Sequence, residues 1–191
     1  AVNTVTIEDG KLHGQNTDGY RFVHNIFDNT DDFEFEGKRA AILGAGGATR
    51  AIASALIGEE IEQIVLLNRT RERAEKLASD IAFVSDFIVV EDWDNRSKIL
   101  DGVDLLINAT SLGMDGQAPL DIDLSTLPDH ALVNDIVYSP LETELLKAAK
   151  GRNLQTVTGI GMLLHQARPA FKSWFGLLPD VTDELIEKVT A

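Results

Sequence analysis

A doubly wound α/β fold, with a parallel sheet covered by helices on both faces, is predicted by three features of this 191-residue chain. From Lys38 onward, short apolar runs alternate with amphipathic stretches. The first apolar run ends in a glycine turn, Gly44-Ala45-Gly46-Gly47. The apolar runs are only four to eight residues long, the length of strands buried on both faces. Strands that alternate with helices run parallel, because each helix returns the chain across the sheet.

In chain order, "VNTVTIEDGKLHGQNTDG" (2–19) reads as two extended segments around Asp9-Gly10, a favourable turn pair. "RAAILGAGG" (39–47) is a buried strand entering a glycine turn, and "ATRAIASALIGE" (48–59) a helix with small and apolar residues at sheet-packing spacing. "IEQIVLLN" (61–68) is a second strand, and "RERAEKLASDIA" (71–82) a helix with an outward charged face. "FIVVE" (87–91), "VDLLINAT" (103–110) and "ALVNDIVY" (131–138) are further strands, with "SKILDG" (97–102) a short helical turn between the first two. "ETELLKAAKGR" (142–152) is a helix closing at Gly151, and "LQTVTG" (154–159) the last strand. "IGMLLHQARPAFKSWFG" (160–176) and "TDELIEKVT" (182–190) read as helices. The expected organisation is a dinucleotide-binding domain over 20–158, with 1–19 and 159–191 belonging to a second, incomplete domain.

Seventeen Lys+Arg against 31 Asp+Glu give a net charge of −14. That balance excludes a broad nucleic-acid or anionic-membrane surface and leaves a small-molecule partner, with oligomeric state open. No apolar run approaches the roughly 18 residues of a membrane span. No secretory or transit signal is visible at the start. The absence of cysteine removes disulfide and thiolate chemistry and fits the cytoplasm. No His/Asp/Glu spacing suggests a metal site. His165 reads as structural, and His13, His24 and His130 as surface residues.

The stretch "GAGGATR" (44–50) stands between a strand and a helix. One glycine there permits the tight turn, a second lets backbone approach a pyrophosphate, and the helix start offers N–H groups and dipole to phosphates. Gly44, Ala45, Gly46, Gly47 and Ala48 are therefore cofactor-binding candidates of a Rossmann-type domain. The third glycine of the usual G-x-G-x-x-G falls at Thr49, so the fingerprint is a variant. At the end of the second strand, where an acidic residue would bond the ribose hydroxyls of NAD, stand Asn68, Arg69 and Thr70, with Arg73 on the next helix. A carboxylate repels a 2′-phosphate, whereas a guanidinium holds it by bonds of about 1.5–3 kcal/mol each. These residues point to NADP. Arg71, in contrast, is expected to pair with Glu75 and its neighbours.

The stretches "AVNT", "NTDG", "GAGGATRA", "NRTRER", "INATSLGM", "VNDIVYSPLETELL" and "TGIGMLLHQARPAF" together resemble the NADP-dependent shikimate dehydrogenase family, in the family's order and over nearly the whole chain. The resemblance implies interconversion of 3-dehydroshikimate and shikimate in aromatic amino acid biosynthesis. It gives Asn3, Thr17, Asp18, Tyr138 and Gln166 as substrate contacts, with Asp18 also one half of a catalytic Lys–Asp pair. It places Ile136, Gly159 and Met162 at the nicotinamide. It begins in the middle of the family's substrate domain, so the family's acid/base lysine and carboxylate-binding serines have no counterpart here, and Lys11 does not match that motif. The chain alone is therefore expected to be inactive. Two other readings stand beside this one: a non-catalytic NADP-binding module and a quinate/shikimate dehydrogenase-like enzyme. A glutamyl-tRNA reductase-like protein would need a catalytic cysteine, which is absent.

Overall fold

A computed structural model of the chain describes residues 2–81 and 87–190. The chain opens with an antiparallel hairpin, β1 (Thr4–Glu8) and β2 (Lys11–Gln15), turned at Asp9-Gly10, where both residues have positive φ. Helix α1 (Asp18–Asp28) follows, and then the main sheet begins with β3 (Arg39–Leu43) and helix α2 (Gly47–Gly58). The order continues with β4 (Gln63–Asn68), α3 (Arg71–Ile81), β5 (Ile88–Asp92), β6 (Leu105–Asn108), β7 (Leu132–Asp135), α4 (Glu144–Gly151) and β8 (Gln155–Val157). Three helices end the chain: α5 (Gly159–His165), α6 (Ala167–Phe175) and α7 (Asp183–Thr190).

The six main-sheet strands are all parallel and lie in the order β5-β4-β3-β6-β7-β8. Chain order reverses between β3 and β6, so the connections leaving those two strands diverge at their C-terminal ends. In open α/β sheets that divergence is the crevice that receives ligands. The doubly wound α/β fold read from the sequence is the fold observed.

Alternation along β3 assigns the two cores. Ala40 and Ile42 face a cluster that includes Phe22 and Ile26 of α1, Ile52 and Leu56 of α2, Leu77 of α3 and Met162 of α5. Ala41 and Leu43 face the opposite cluster, with Leu145, Leu146 and Ala149 of α4. Each fully buried Leu, Ile or Phe contributes about 1.5–3 kcal/mol relative to exposure. Between β6 and β7 no helix forms among the described residues. Gly113 and Gly116 adopt φ of 92° and 79°, and Pro119 and Pro128 lack backbone donors, so a continuous helix is blocked. The irregular run covers its sheet face with Leu120, Leu124 and Leu127 instead.

Four elements differ from the sequence reading. Helix α1 begins at Asp18, inside the stretch read as extended, because Phe22, Val23 and Ile26 form an apolar face that is buried against the sheet. The helix read as continuous over 160–176 breaks at Gln166. Pro169 has no N–H to donate to the His165 carbonyl, so the two halves meet without an unbroken ladder. The strand read as far as Tyr138 stops at Asp135, because the Val137 N–H turns back to Asp135 Oδ1 at 3.0 Å. A 3₁₀ turn at Trp93–Asn95 was not anticipated, whereas the Lys98–Leu100 turn falls where "SKILDG" was read. Ala82, the last residue of the helix read over 71–82, lies outside the described residues.

Helix α6 lies on the hairpin, and the Trp174 indole Nε1–H donates to the Val5 carbonyl at 3.3 Å. Among the described residues no helix is long and apolar enough to cross a membrane.

Candidate functional site

The glycine turn leaves β3 at Gly44, whose φ of +111° only glycine adopts without strain, and whose added Cβ would lie 2.7 Å from the Ala109 carbonyl oxygen. Thr49, fully buried at the third-glycine position, closes the loop from within. Its hydroxyl donates to Gly44 O at 3.0 Å and accepts from the Gly46 N–H at 3.3 Å. Gly46 and Gly47 are different, because a Cβ on either meets nothing within 4 Å. Nothing in the protein itself therefore demands glycine at these two positions. Helix α2 starts at Gly47, so its first-turn N–H groups open onto the loop.

The end of β4 is tied to the same loop. Asn68 Oδ1 accepts the Ala45 N–H at 3.1 Å, and its Nδ2 donates to the Thr70 carbonyl at 2.8 Å. This side chain is thus occupied in shaping the turn, which leaves recognition of any anion to its neighbours. Arg71 bonds Glu75 at 2.8 Å and Asp92 at 2.7 Å, as expected, and these partners hold its pKa above the usual guanidinium range. Arg69 and Arg73 form no ion pair with any described residue, and both are exposed. A cleft of ≈ 350 Å³ is lined by Ala45, Gly46, Gly47, Arg50, Arg73, Lys76 and Leu77. Two of its cations are already engaged, since Arg50 and Lys76 both pair with Asp80, at 2.6 and 3.2 Å.

On the other side of the loop a second cleft, of ≈ 180 Å³, is lined by Arg21, Ala48, Ile136, Tyr138, Gly159, Met162 and Leu163. Five of these seven are residues named from the sequence, drawn from three separate stretches. The close approach of α5 to the 136–137 backbone makes glycine obligatory at 159, where a Cβ would lie 2.4 Å from Ile136 O. Gly161 serves the same end, because its Cβ would collide with Asn25 Oδ1, whose amide donates to Thr158 O at 2.9 Å. These contacts lock α1 against α5.

A polar chain runs along the edge of this cleft. Asn3 Nδ2 donates to Asp18 Oδ1 at 2.6 Å, while Asn3 Oδ1 accepts the Thr17 N–H at 3.1 Å and its hydroxyl at 3.2 Å. Arg21 pairs with Asp18 at 2.6 Å, and its Nη1 donates to Gln166 Oε1. Asn3, Thr17, Asp18 and Gln166, separated by up to 163 positions, are thereby gathered into one network through a residue the sequence reading missed. The available signal was the i,i+3 spacing of Asp18 and Arg21 on one helix face. Burial lowers the Arg21 pKa, partly opposed by the Asp18 carboxylate.

A second missed element holds the strand ends. Asp135, fully buried, accepts from Thr143 Oγ1 at 2.7 Å, Asn108 Nδ2 at 3.0 Å and the Val137 N–H at 3.0 Å. Burial raises its pKa despite those three donors. The network fixes the backbone that carries Ile136 and Tyr138, and Tyr138 itself is half exposed.

His165 is buried, with Nε2 3.1 Å from Asp28 and Nδ1 3.3 Å from Arg168 Nη1. Because arginine only donates, Nδ1 accepts and Nε2 carries the proton toward Asp28. His13 and His130 are exposed, but His24, expected at the surface, is half-buried between Tyr20 and His165, since α1 packs there against α5. Among the described residues no cluster of three or more His, Cys, Asp or Glu is arranged to hold a metal ion.

A family model described as shikimate/quinate 5-dehydrogenase matches residues 24–114. Over all 191 residues the chain is 50% identical to a shikimate dehydrogenase (NADP+) of Methylocella silvestris, covering 67% of that protein. It superposes on a quinate dehydrogenase from Corynebacterium glutamicum in complex with NAD with a TM-score of 0.89 at 32% identity, covering 100% of this chain and 68% of the other. A shikimate dehydrogenase in complex with NADP+ gives a TM-score of 0.86 at 39% identity, with coverages of 100% and 68%. The chain thus spans about two thirds of the length of each relative.

Proposed function

The chain belongs to the shikimate dehydrogenase family, and from that premise we propose that it binds NADP(H) across the glycine turn and forms the cofactor side of an oxidoreductase for 3-dehydroshikimate and shikimate. The observation that carries this reading is the pair of clefts flanking the turn, one bearing Arg73, which has no ion-pair partner among the described residues, and the other floored by Ile136, Gly159 and Met162.

The residues present fit NADP. Gly46 and Gly47 leave open space where a side chain would stand between backbone and pyrophosphate, and Arg69, Thr70 and Arg73 present cations and a hydroxyl with no carboxylate among 68–70. When bound, NADPH supplies hydride to a carbonyl carbon. Toward that chemistry the chain's own residues exclude water at the apolar floor and hold Asp18 and Gln166 at its rim. Asp18, which accepts from Asn3 Nδ2 and pairs with Arg21, orients and accepts. The same division supports reading 1–19 and 159–191 as parts of a substrate domain, since the hairpin and α6 are already in contact.

A quinate enzyme using NAD is the competing assignment, and unpaired arginines where a carboxylate would select NAD weigh against it. General acid/base catalysis supplies about 10²–10⁴-fold, and alignment of substrate with cofactor supplies more. With no lysine matching the family's acid/base position, the 191-residue chain should bind NADPH yet reduce 3-dehydroshikimate negligibly. A version extended to the relatives' full length should reduce it readily. The two are compared by NADPH absorbance. Turnover by the short chain at the rate of the long one contradicts the proposal, and binding without turnover in both leaves a non-catalytic NADP module.

A further inference from the structure

Arg21 has the geometry of a group that sets direction. Its side chain is 14% exposed, it lines the cleft beside Ile136, Tyr138 and Met162, and its Nε is buried without a hydrogen-bond partner among the described residues. Both of its engaged nitrogens go to residues the family resemblance assigns to substrate, Asp18 and Gln166.

A guanidinium donates and never accepts. Gln166 must therefore meet it with Oε1, which turns the amide nitrogen away, and Gln166 Nε2 donates to no described residue. Asn3 is fixed in the same way, because Thr17 claims its oxygen and leaves its nitrogen for Asp18. Asp18 Oδ1 accepts from Asn3 Nδ2 and forms an ion pair with Arg21 Nη2, and its Oδ2 takes no hydrogen bond from the described residues. Beside the cleft, on either side of Arg21, Asp18 Oδ2 thus remains as an acceptor and Gln166 Nε2 as a donor among the described residues.

We infer that Arg21 is a positioning residue that fixes this donor–acceptor order, so that the site reads an alcohol group, which donates to Asp18 and accepts from Gln166. The inference rests on the proposed shikimate dehydrogenase reading and adds to it the residue that polarises the substrate site. A ligand carrying only acceptors at that point keeps the Gln166 bond and loses the Asp18 bond. A lysine cannot replace the fork, because a single ammonium lacks the planar pair of nitrogens that spans Asp18 and Gln166.

The test is steady-state shikimate oxidation by the full-length protein that carries this segment. Arg21→Ala should raise the shikimate KM about tenfold while the NADP+ KM stays within about twofold. Gln166→Ala should cost far less in the Arg21→Ala background than alone, because an undirected amide has little left to lose. Arg21→Lys keeps the Asp18 pair and should show the same loss of coupling, and it carries the test if the alanine variant does not fold. Additive effects, or equal rises in both KM values, would overturn the inference. Side-chain amide NMR relaxation on the 191-residue chain reads the contact without turnover: the Gln166 NH2 should be ordered in the parent and mobile in Arg21→Ala, and equal mobility in both would also overturn it. Loss of shikimate oxidation in the unaltered full-length protein, with the NMR contrast intact, would count against the family function alone.

Discussion

Glycines in one short turn do different work, and substitutions separate their roles. Gly44 is held by φ of +111° and by the Ala109 carbonyl, so its constraint is internal. Gly46 is unconstrained within the protein, so any need for glycine there comes from a ligand. Gly46→Val should therefore leave the far-ultraviolet dichroism and melting temperature near the parent values while abolishing NADPH and NADH binding. Gly44→Ala should lower stability outright by strain and collision. Normal NADPH affinity in Gly46→Val would mean that the turn carries no cofactor.

His165 gives a pH dependence at the same scale. Burial lowers its pKa, and Arg168 and His24 add to this against the opposing pull of Asp28. A histidine that resists protonation in the fold binds fewer protons there than in the unfolded chain. Its contribution is thus complete above the unfolded value of about 6.5 and is lost as pH falls through the lower folded value. The urea midpoint should drop between pH 7.5 and pH 5.5, and His165→Gln, which does not titrate, should show a smaller drop. An equal drop in both would assign the acid sensitivity to other groups.

At the scale of elements, the strands of the main sheet were legible because apolar runs such as "AAIL" and "IVLL" are buried on both faces and contain few other possibilities. Helix α1 was not, because its first turn, Asp18-Gly19-Tyr20-Arg21, has the composition of a turn and its apolar face emerges only from Phe22. Gly19 is there for packing: a Cβ would lie 3.0 Å from Ala51 O on α2. The break at Gln166 follows from Pro169, but the apolar spacing continues across it and hides it in the sequence. The roles of Asp135 and Asn108 were invisible for another reason. A buried carboxylate within a strand is recognisable only when its three donors, from 108, 137 and 143, are seen to converge.

Over the whole molecule, the candidate site was legible as a set of stretches but not as a network. The family resemblance named Asn3, Asp18, Gly159 and Gln166 separately, and folding joins two sequence ends through Arg21, a contact spanning 145 positions. The arginines past β4 divide as their chemistry suggested, with Arg71 neutralised by Glu75 and Asp92 and with Arg69 and Arg73 left without carboxylate partners among the described residues. A chain of net charge −14 that keeps those two cations unpaired beside a glycine turn is organised for a small, highly charged anion. The most direct measurement is calorimetric titration of the 191-residue chain with NADPH and with NADH. NADPH should bind well over tenfold more tightly, a difference of about 1.4 kcal/mol or more, and Arg69→Ala should weaken NADPH while leaving NADH almost unchanged. Equal affinity for the two cofactors, or equal losses in the variant, would contradict recognition of the 2′-phosphate by this end of the sheet.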